Sequence, residues 1–308
     1  MSRRLLVLGW HNIAGTYGFP APEGAAERGF ARQMQTLSRV ANVIDLEQGL
    51  ARLTAGEKLP SRAVAITFDD GYADNLTLGA PILERHKLPA TFFLVPRFLS
   101  GELDAWWETL GWAIESSTCA SFAWEGAHFT IRTPPARQAT YSAIAKQLKL
   151  RDSSARSAAM DELLDTLAPQ GERPDLFMDW AGARELLNRG FSVQAHTSTH
   201  PVLSRESHAR QTRELVDARR ELQTKLGIGV STLAYPHGGP DHYGADTVAI
   251  AEEAGYTWAV TTREGFATRD TKALEVNRCL VYPERGNVDL LAQLRYMLQA
   301  WLQEARST

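Results

Sequence analysis

The stretch AVAITFDDGYADN, residues 63–75, sets the reading of the whole chain. Its first six residues, Ala63–Phe68, form an apolar, β-branched run that reads as a buried strand. The run ends on Asp69 and Asp70, followed by Gly71 and a segment with helical spacing. Sites in α/β barrels are built at the carboxyl ends of the strands, so two acids at this point are candidates for chemistry. Adjacent strand residues point to opposite sides, which lets one carboxylate bind a metal while the other handles protons. The plainer alternative is a capping turn, in which Asp70 or Asp74 caps the next helix and Gly71 supplies an unusual backbone angle.

A second stretch shifts the balance. In FSVQAHTSTH, residues 191–200, another apolar strand runs into His196 and His200, and the four-residue spacing is expected to set both imidazoles on one side of a helical turn. One carboxylate and two imidazoles suit a borderline divalent ion, with positions left open for water and substrate. Zinc is the first choice, and cobalt, nickel or iron(II) are alternatives.

TFDDG (67–71), HTSTH (196–200) and AYPHG (234–238), in this order and at these separations, resemble the polysaccharide deacetylase family of metal-dependent carbohydrate esterases. The resemblance runs from VLGWHN (7–12) to NRCLVYP (277–283), most of the chain. It implies an α/β fold, a distorted (β/α) barrel of about seven parallel strands. It implies a divalent metal held by Asp70, His196 and His200, and Asp69 as the general base that removes an N-acetyl group from a sugar. In the third motif it implies an oxyanion-binding N–H from His237, with Tyr235 and Pro236 against the substrate. Two features depart from the common pattern: Ala234 stands where many members carry an arginine that orients the base, and no late Leu-x-His supplies a general acid. In this the chain is similar to the exopolysaccharide-associated branch rather than to the chitin deacetylases.

Hydrolysis of an amide needs a polarised carbonyl, a hydroxide-like nucleophile and a proton for the leaving amine. A bound divalent ion serves the first two needs and a neighbouring carboxylate completes the second. For the proton the candidates are His11, His237 and His242, and His11 is preferred because it ends the first strand, as the other site residues end theirs. Family members with the same third-motif departure also carry a histidine there. Arg278 is the candidate to replace the missing arginine and is grouped with the substrate-contacting residues; the alternative is that it pairs with a surface carboxylate.

Composition bounds the rest. A formal charge of −3 offers no basic footprint, which argues against a nucleic acid partner. Cys119 and Cys279 lie far apart in no redox or zinc spacing, so both are expected to be unpaired thiols. Arg3 and Arg4 precede only a short apolar run that breaks at Gly9, which reads as a barrel strand rather than a signal peptide. No segment approaches the roughly 18 apolar residues of a membrane helix, and the expected location is cytoplasmic. The oligomeric state is not legible.

Along the chain, residues 12–29 read as a loop rich in Gly, Pro and Ala, followed by a helix over 29–37 and a helix from 74 to about 86. ATFFLV (90–95) is a buried strand. The expectation is one domain over residues 1–308 with an insertion at 97–177, where helices at 139–148 and 155–167 accompany several tryptophans. These are expected to pack the insertion, with Trp106 or Trp107 as the one to stack on a sugar ring. Helices are expected over 178–189 and 205–226, the latter with its charges on a solvated face. A last helix from 288 to about 303 sets Leu290, Leu294, Met297 and Trp301 on one face.

The leading expectation is a metal-dependent hydrolase that removes N-acetyl groups from an amino sugar of a polysaccharide or of its glycan precursor. An amidase or deformylase acting on a small non-glycan amide is the nearest rival. A catalytically inactive carbohydrate-binding homologue is the rival from another class, and the presence of Asp69 beside the presumptive ligands argues against it.

Overall fold

The structure, a computed structural model, describes residues 2–288, 290–295 and 299. In chain order its strands are β1 (Arg4–Trp10), β2 (Asn42–Val43), β3 (Ala63–Phe68), β4 (Thr91–Leu94), β5 (Ser121–Trp124), β6 (Ala127–Thr130), β7 (Ser192–Ala195), β8 (Thr232–Ala234), β9 (Trp258–Val260), β10 (Phe266–Thr268) and β11 (Cys279–Leu280). Two compact units are present. The first comprises residues 2–15, 21–102 and the described residues from 176 onward; the second comprises 16–20 and 103–175.

The first unit is built on a curled, mostly parallel sheet with the strand order β10-β1-β3-β4-β7-β8-β9, with β2 beside β3 and β11 beside β1. Along this path only the β1–β10 pairing is antiparallel, and the sheet is the mostly parallel one expected of a distorted barrel. Val276 bridges Val260 at the end of β9, and Cys279 and Leu280 pair with Leu8 and Gly9 of β1. The segment 276–280 thus reaches from one side of the curled sheet to the other and completes the barrel.

Residue parity divides two cores. Leu5, Val7, Ala63, Ala65, Phe93, Ala234, Val260 and Val276 form a small cluster inside the curl. Their neighbours of opposite parity, Leu6, Leu8, Val64, Ile66, Phe68, Phe92 and Leu94, pack against helix residues such as Phe30, Met34 and Leu83. This is why Ala63–Phe68 shows no alternation: both faces are dry, and each large apolar side chain so buried contributes about 1.5–3 kcal/mol.

Helix limits differ from expectation where a side chain supplies an unforeseen cap or contact. Helix Ala25–Val40 begins earlier than residue 29, because Gly29 sits inside it where the Pro283 carbonyl would clash with any Cβ. Asp45 caps an unforeseen helix, Leu46–Thr54, by accepting from the Gln48 N–H. The segment after TFDDG opens with a π-helical turn, Asn75–Gly79, before helix Ala80–His86. Leu290 and Leu294 are buried as expected, while Met297 and Trp301 lie outside the described residues.

The second unit has its own core, in which helices Trp106–Ser116, Pro134–Leu148 and Ser153–Leu167 and the β5–β6 hairpin bury Leu110, Ile114, Trp124, Ile144 and Leu163. Both cysteines are unpaired thiols. No helix among the described residues is long and apolar enough to cross a membrane.

Candidate active site

Strand parity carries Asp69 inward. Ala63, Ala65, Thr67 and Asp69 alternate along β3 and just past it, and Ala63 and Ala65 already line the inner core, so the Asp69 carboxylate arrives at the barrel mouth. It is 2 % exposed and meets Arg278, whose two terminal nitrogens donate to its two oxygens at 2.6 and 2.7 Å. Arg278 is fully buried; its Nε donates to the Thr261 carbonyl at 3.1 Å and Nη1 also reaches Thr67 Oγ1 at 3.3 Å. Gly9 makes room, since a Cβ there would lie 3.2 Å from Arg278 Cδ and 3.0 Å from Leu280. Arg278 therefore pairs with the buried Asp69 and not with a surface carboxylate. Its grouping with the substrate-contacting residues is corrected: its donors are spent on Asp69, Thr67 and Thr261 inside the barrel.

Asp70 would follow the opposite parity towards the helices if the strand continued. It does not continue, because Asp70 and Gly71 take φ of 72° and 87°, a left-handed turn that Asp tolerates better than most residues. That turn sets Asp70 Oδ1 3.3 Å from His196 Nε2 and 3.2 Å from His200 Nε2. The structure thus brings together one ligand atom from each of the three residues, all within 4.8 Å of one another and all buried. The turn carrying the histidines is not helical as expected: Thr197 and His200 adopt φ of 62° and 56°.

These residues fit a divalent cation on two observations. His196 Nδ1 lies 2.8 Å from the Ala234 carbonyl, so the neutral ring donates there and aims the lone pair of Nε2 at the cluster. Asp70 Oδ1 is buried and accepts no aligned hydrogen bond, although two ring nitrogens flank it. Three converging N and O donors match the three protein ligands of a catalytic zinc site.

Electrostatics follow from burial and pairing. Burial pushes the Asp69 carboxyl up, but Arg278, with His196 and His11, outweighs it and holds the group below the usual carboxylate range. Burial likewise raises Asp70, and His200 and His196 overcome this to hold it well below that range. For His196, burial lowers and the two aspartates more than compensate, so its affinity for a proton rises; for His200 burial wins over Asp70 and it falls.

His11 Nε2 lies 3.9 Å from Asp69 Oδ2 with a side chain 22 % exposed, at the mouth and open to solvent. Its loop is held by residues that sequence reasoning missed. Asp74 accepts from the Ile13 and Ala14 N–H groups at 2.8 and 2.7 Å, and Asn75 Nδ2 donates to the His11 carbonyl at 2.7 Å. The only available signal was their place one turn after TFDDG. Asp74 is thus a clasp across two loops, not the helix cap considered above. His237 stacks edge-on near His200, ring centroids 5.1 Å apart, and His242 lies 5.3 Å beyond it.

Of the other expected contacts, Tyr235 and Trp107 are packing groups. Tyr235 is fully buried, stacked on Tyr243, and its hydroxyl donates to the Leu274 carbonyl at 3.1 Å, so its side chain is a packing group. Pro236 is buried beside it. In the second unit Trp107 is buried and edge-on to Trp106, presenting no open face to a sugar; Trp106 is half-buried with the Arg156 guanidinium over its ring. Aromatic composition does not distinguish packing from stacking, which is why Trp107 was offered to a sugar ring.

A barrel with two neighbouring carboxylates and two imidazoles at its mouth has the architecture of the hydrolytic deacetylases. The chain belongs to the polysaccharide deacetylase family, whose sequence profile matches residues 56–259. It is 21% identical over 281 residues to YxkH of Bacillus subtilis (strain 168), which is named as a polysaccharide deacetylase; the match covers 91% of this chain and 72% of that one. Among solved structures it shares its fold with the deacetylase PplD of Streptococcus pyogenes, solved in complex with acetate, at a TM-score of 0.63 and 20% identity over 95% of this chain and 99% of that one. IcaB of Ammonifex degensii is similar at a TM-score of 0.60 and 19% identity, covering 95% and 98% respectively.

Proposed function

We propose that this protein is a metal-dependent hydrolase that removes N-acetyl groups from an amino sugar of a polysaccharide or its glycan precursor. One observation carries the reading: the Asp70, His196 and His200 ligand atoms converge beside a second carboxylate, Asp69, that Arg278 holds ionised and oriented. Family membership and the acetate seen with the structurally similar PplD support it.

Asp70, His196 and His200 hold the metal. The chemistry that a divalent ion held there would supply is polarisation of the amide carbonyl and a lowered pKa for a bound water. Asp69 accepts the proton of the attacking water, and its two bonds from Arg278 fix which oxygen lone pair faces that water. The His237 N–H is assigned to the carbonyl oxygen as it gains charge. His11, close to Asp69 and open to solvent, gives its proton to the leaving amine.

The direct test is acetate release from N-acetylglucosamine oligomers against small non-glycan acetamides and formamides, with zinc, cobalt and nickel each supplied to stripped protein. Release from the glycans alone supports the reading; release from the small amides alone identifies an amidase. Metal retention without release from any substrate identifies a binding homologue. The role of His11 has its own signature. An activated ester needs little help in expelling its leaving group, so His11→Ala is expected to slow amide cleavage by about 10²-fold or more while sparing the ester. Equal losses on amide and ester, or loss of metal with His11, would remove it from the acid role.

A further inference from the structure

We infer that Glu214 is a positioning residue for the metal ligands: its buried carboxylate fixes the turn between His196 and His200, and so sets metal affinity without touching the metal. The inference rests on the metal-dependent reading above. The turn needs such a device. Thr197 and His200 both sit at positive φ, 62° and 56°, and for a β-branched threonine this is an outlier that persists only where the surroundings over-determine it. Within the turn, the His200 N–H donates to Thr197 Oγ1 at 3.1 Å. From outside, Glu214 accepts the Ser198 N–H at 3.0 Å, the Thr199 N–H at 2.7 Å and the Thr199 hydroxyl at 2.6 Å.

These bonds are made by an ionisable side chain only 2 % exposed, at mid-length in helix His208–Leu226. Burying a carboxylate is costly unless it is paired and hydrogen-bonded. Here the compensation comes from the two backbone N–H groups, the hydroxyl and Arg210, whose Nη2 lies 3.0 Å from Glu214 Oε1 and 3.3 Å from Thr199 Oγ1. Across the turn the Arg97 N–H donates to the Ser198 carbonyl at 3.2 Å. The turn is therefore gripped from two sides, and the carboxylate reaches the two residues that separate Thr197 from His200. A helix tied to a loop for stability alone has no need of a buried charge directed at that pair. The Glu214 carbonyl also lies 3.1 Å from the Ser198 N–H, and this contact survives substitution of the side chain, so a partial loss is expected.

The experiment is titration of chelator-stripped protein with cobalt(II), followed by calorimetry and by the visible spectrum of the bound ion. Glu214→Gln keeps the size but loses the charge and one acceptor oxygen, and is expected to weaken cobalt binding by about 10- to 100-fold, the range for an outer partner of a metal ligand. Thr199→Val, which removes the hydroxyl's bonds to Glu214 and Arg210 and keeps the backbone donors, is expected to fall between that variant and the wild type. Leu215→Ala is the control, a buried neighbour on the same helix whose loss destabilises the fold with cobalt affinity kept. Folding of each variant is checked by circular dichroism, and Thr199→Val decides the matter if Glu214→Gln does not fold. Wild-type affinity in the folded Glu214→Gln protein, or in Thr199→Val where it alone folds, overturns the inference, as does an equal loss in Leu215→Ala. A wild-type protein that takes up no cobalt overturns the metal-dependent reading as well, which separates the two failures.

Discussion

His196→Ala and His200→Ala are each expected to lose metal and activity together, with affinity falling by more than the roughly 100-fold that bounds an outer-partner substitution. Each removes one of three donors from a buried site, and the remaining two cannot complete the coordination of a borderline divalent ion. The fold should survive in both. His196 and His200 lie at the end of β7, beyond its last ladder residue, and the apolar interior between strands and helices does not depend on them. The measurement is metal content after dialysis, paired with thermal unfolding and acetate release. Metal retained at wild-type stoichiometry in both variants would dissolve the cluster as a binding site. Loss of folding without metal present would instead show that the ion is structural, in the sense that binding and folding are one equilibrium.

The barrel and the converging residues were legible because they rest on short-range rules. A continuous apolar run marks a strand with two dry faces, and charge at its end marks the mouth. Ala63–Phe68 and the histidine strand carried both signals. What was not legible depends on the third dimension. The four-residue spacing of His196 and His200 suggested a helical turn, whereas the structure uses two left-handed residues and Glu214 to reach the same convergence. The charges of 205–226 suggested a solvated face, yet Gln211, Glu214, Leu215, Ala218 and Leu222 together form the buried stripe. Glu214 stands at the i−4 position to Ala218 and beside Leu215, so periodicity marked its place while its polarity concealed it. The strands β10 and β11 are too short for any pattern, and Arg278 precedes the second of them. Tyr235, Trp107 and Arg278 share one cause of misplacement: a side chain able to touch a ligand was assigned to one, when burial had already claimed it.

Arg278→Met is expected to cost about 3–5 kcal/mol of stability, because it leaves the Asp69 carboxylate buried without its partner. Turnover should fall by about 10²-fold through loss of orientation, while Asp69→Asn, which removes the base itself, should cost about 10² to 10⁴-fold. Metal content should stay near that of the wild type in both, since neither removes a ligand. The pH dependence gives the sign. With Arg278 present the folded pKa of Asp69 is lowered, so its contribution to stability is present above the unfolded pKa and is lost as pH falls through the folded value. Without Arg278, burial is no longer outweighed by the same partner and the folded pKa rises. The acid limb of kcat/KM should then move to higher pH, and should the pKa pass its unfolded value, stability should decline as pH rises between the two. Joining Asp69→Asn to Arg278→Met removes both charges, so the double variant should recover much of the stability lost by Arg278→Met and none of the turnover. Additive losses in stability and an unmoved acid limb would show that Arg278 merely fills space beside Gly9, and the base would need another orienting group.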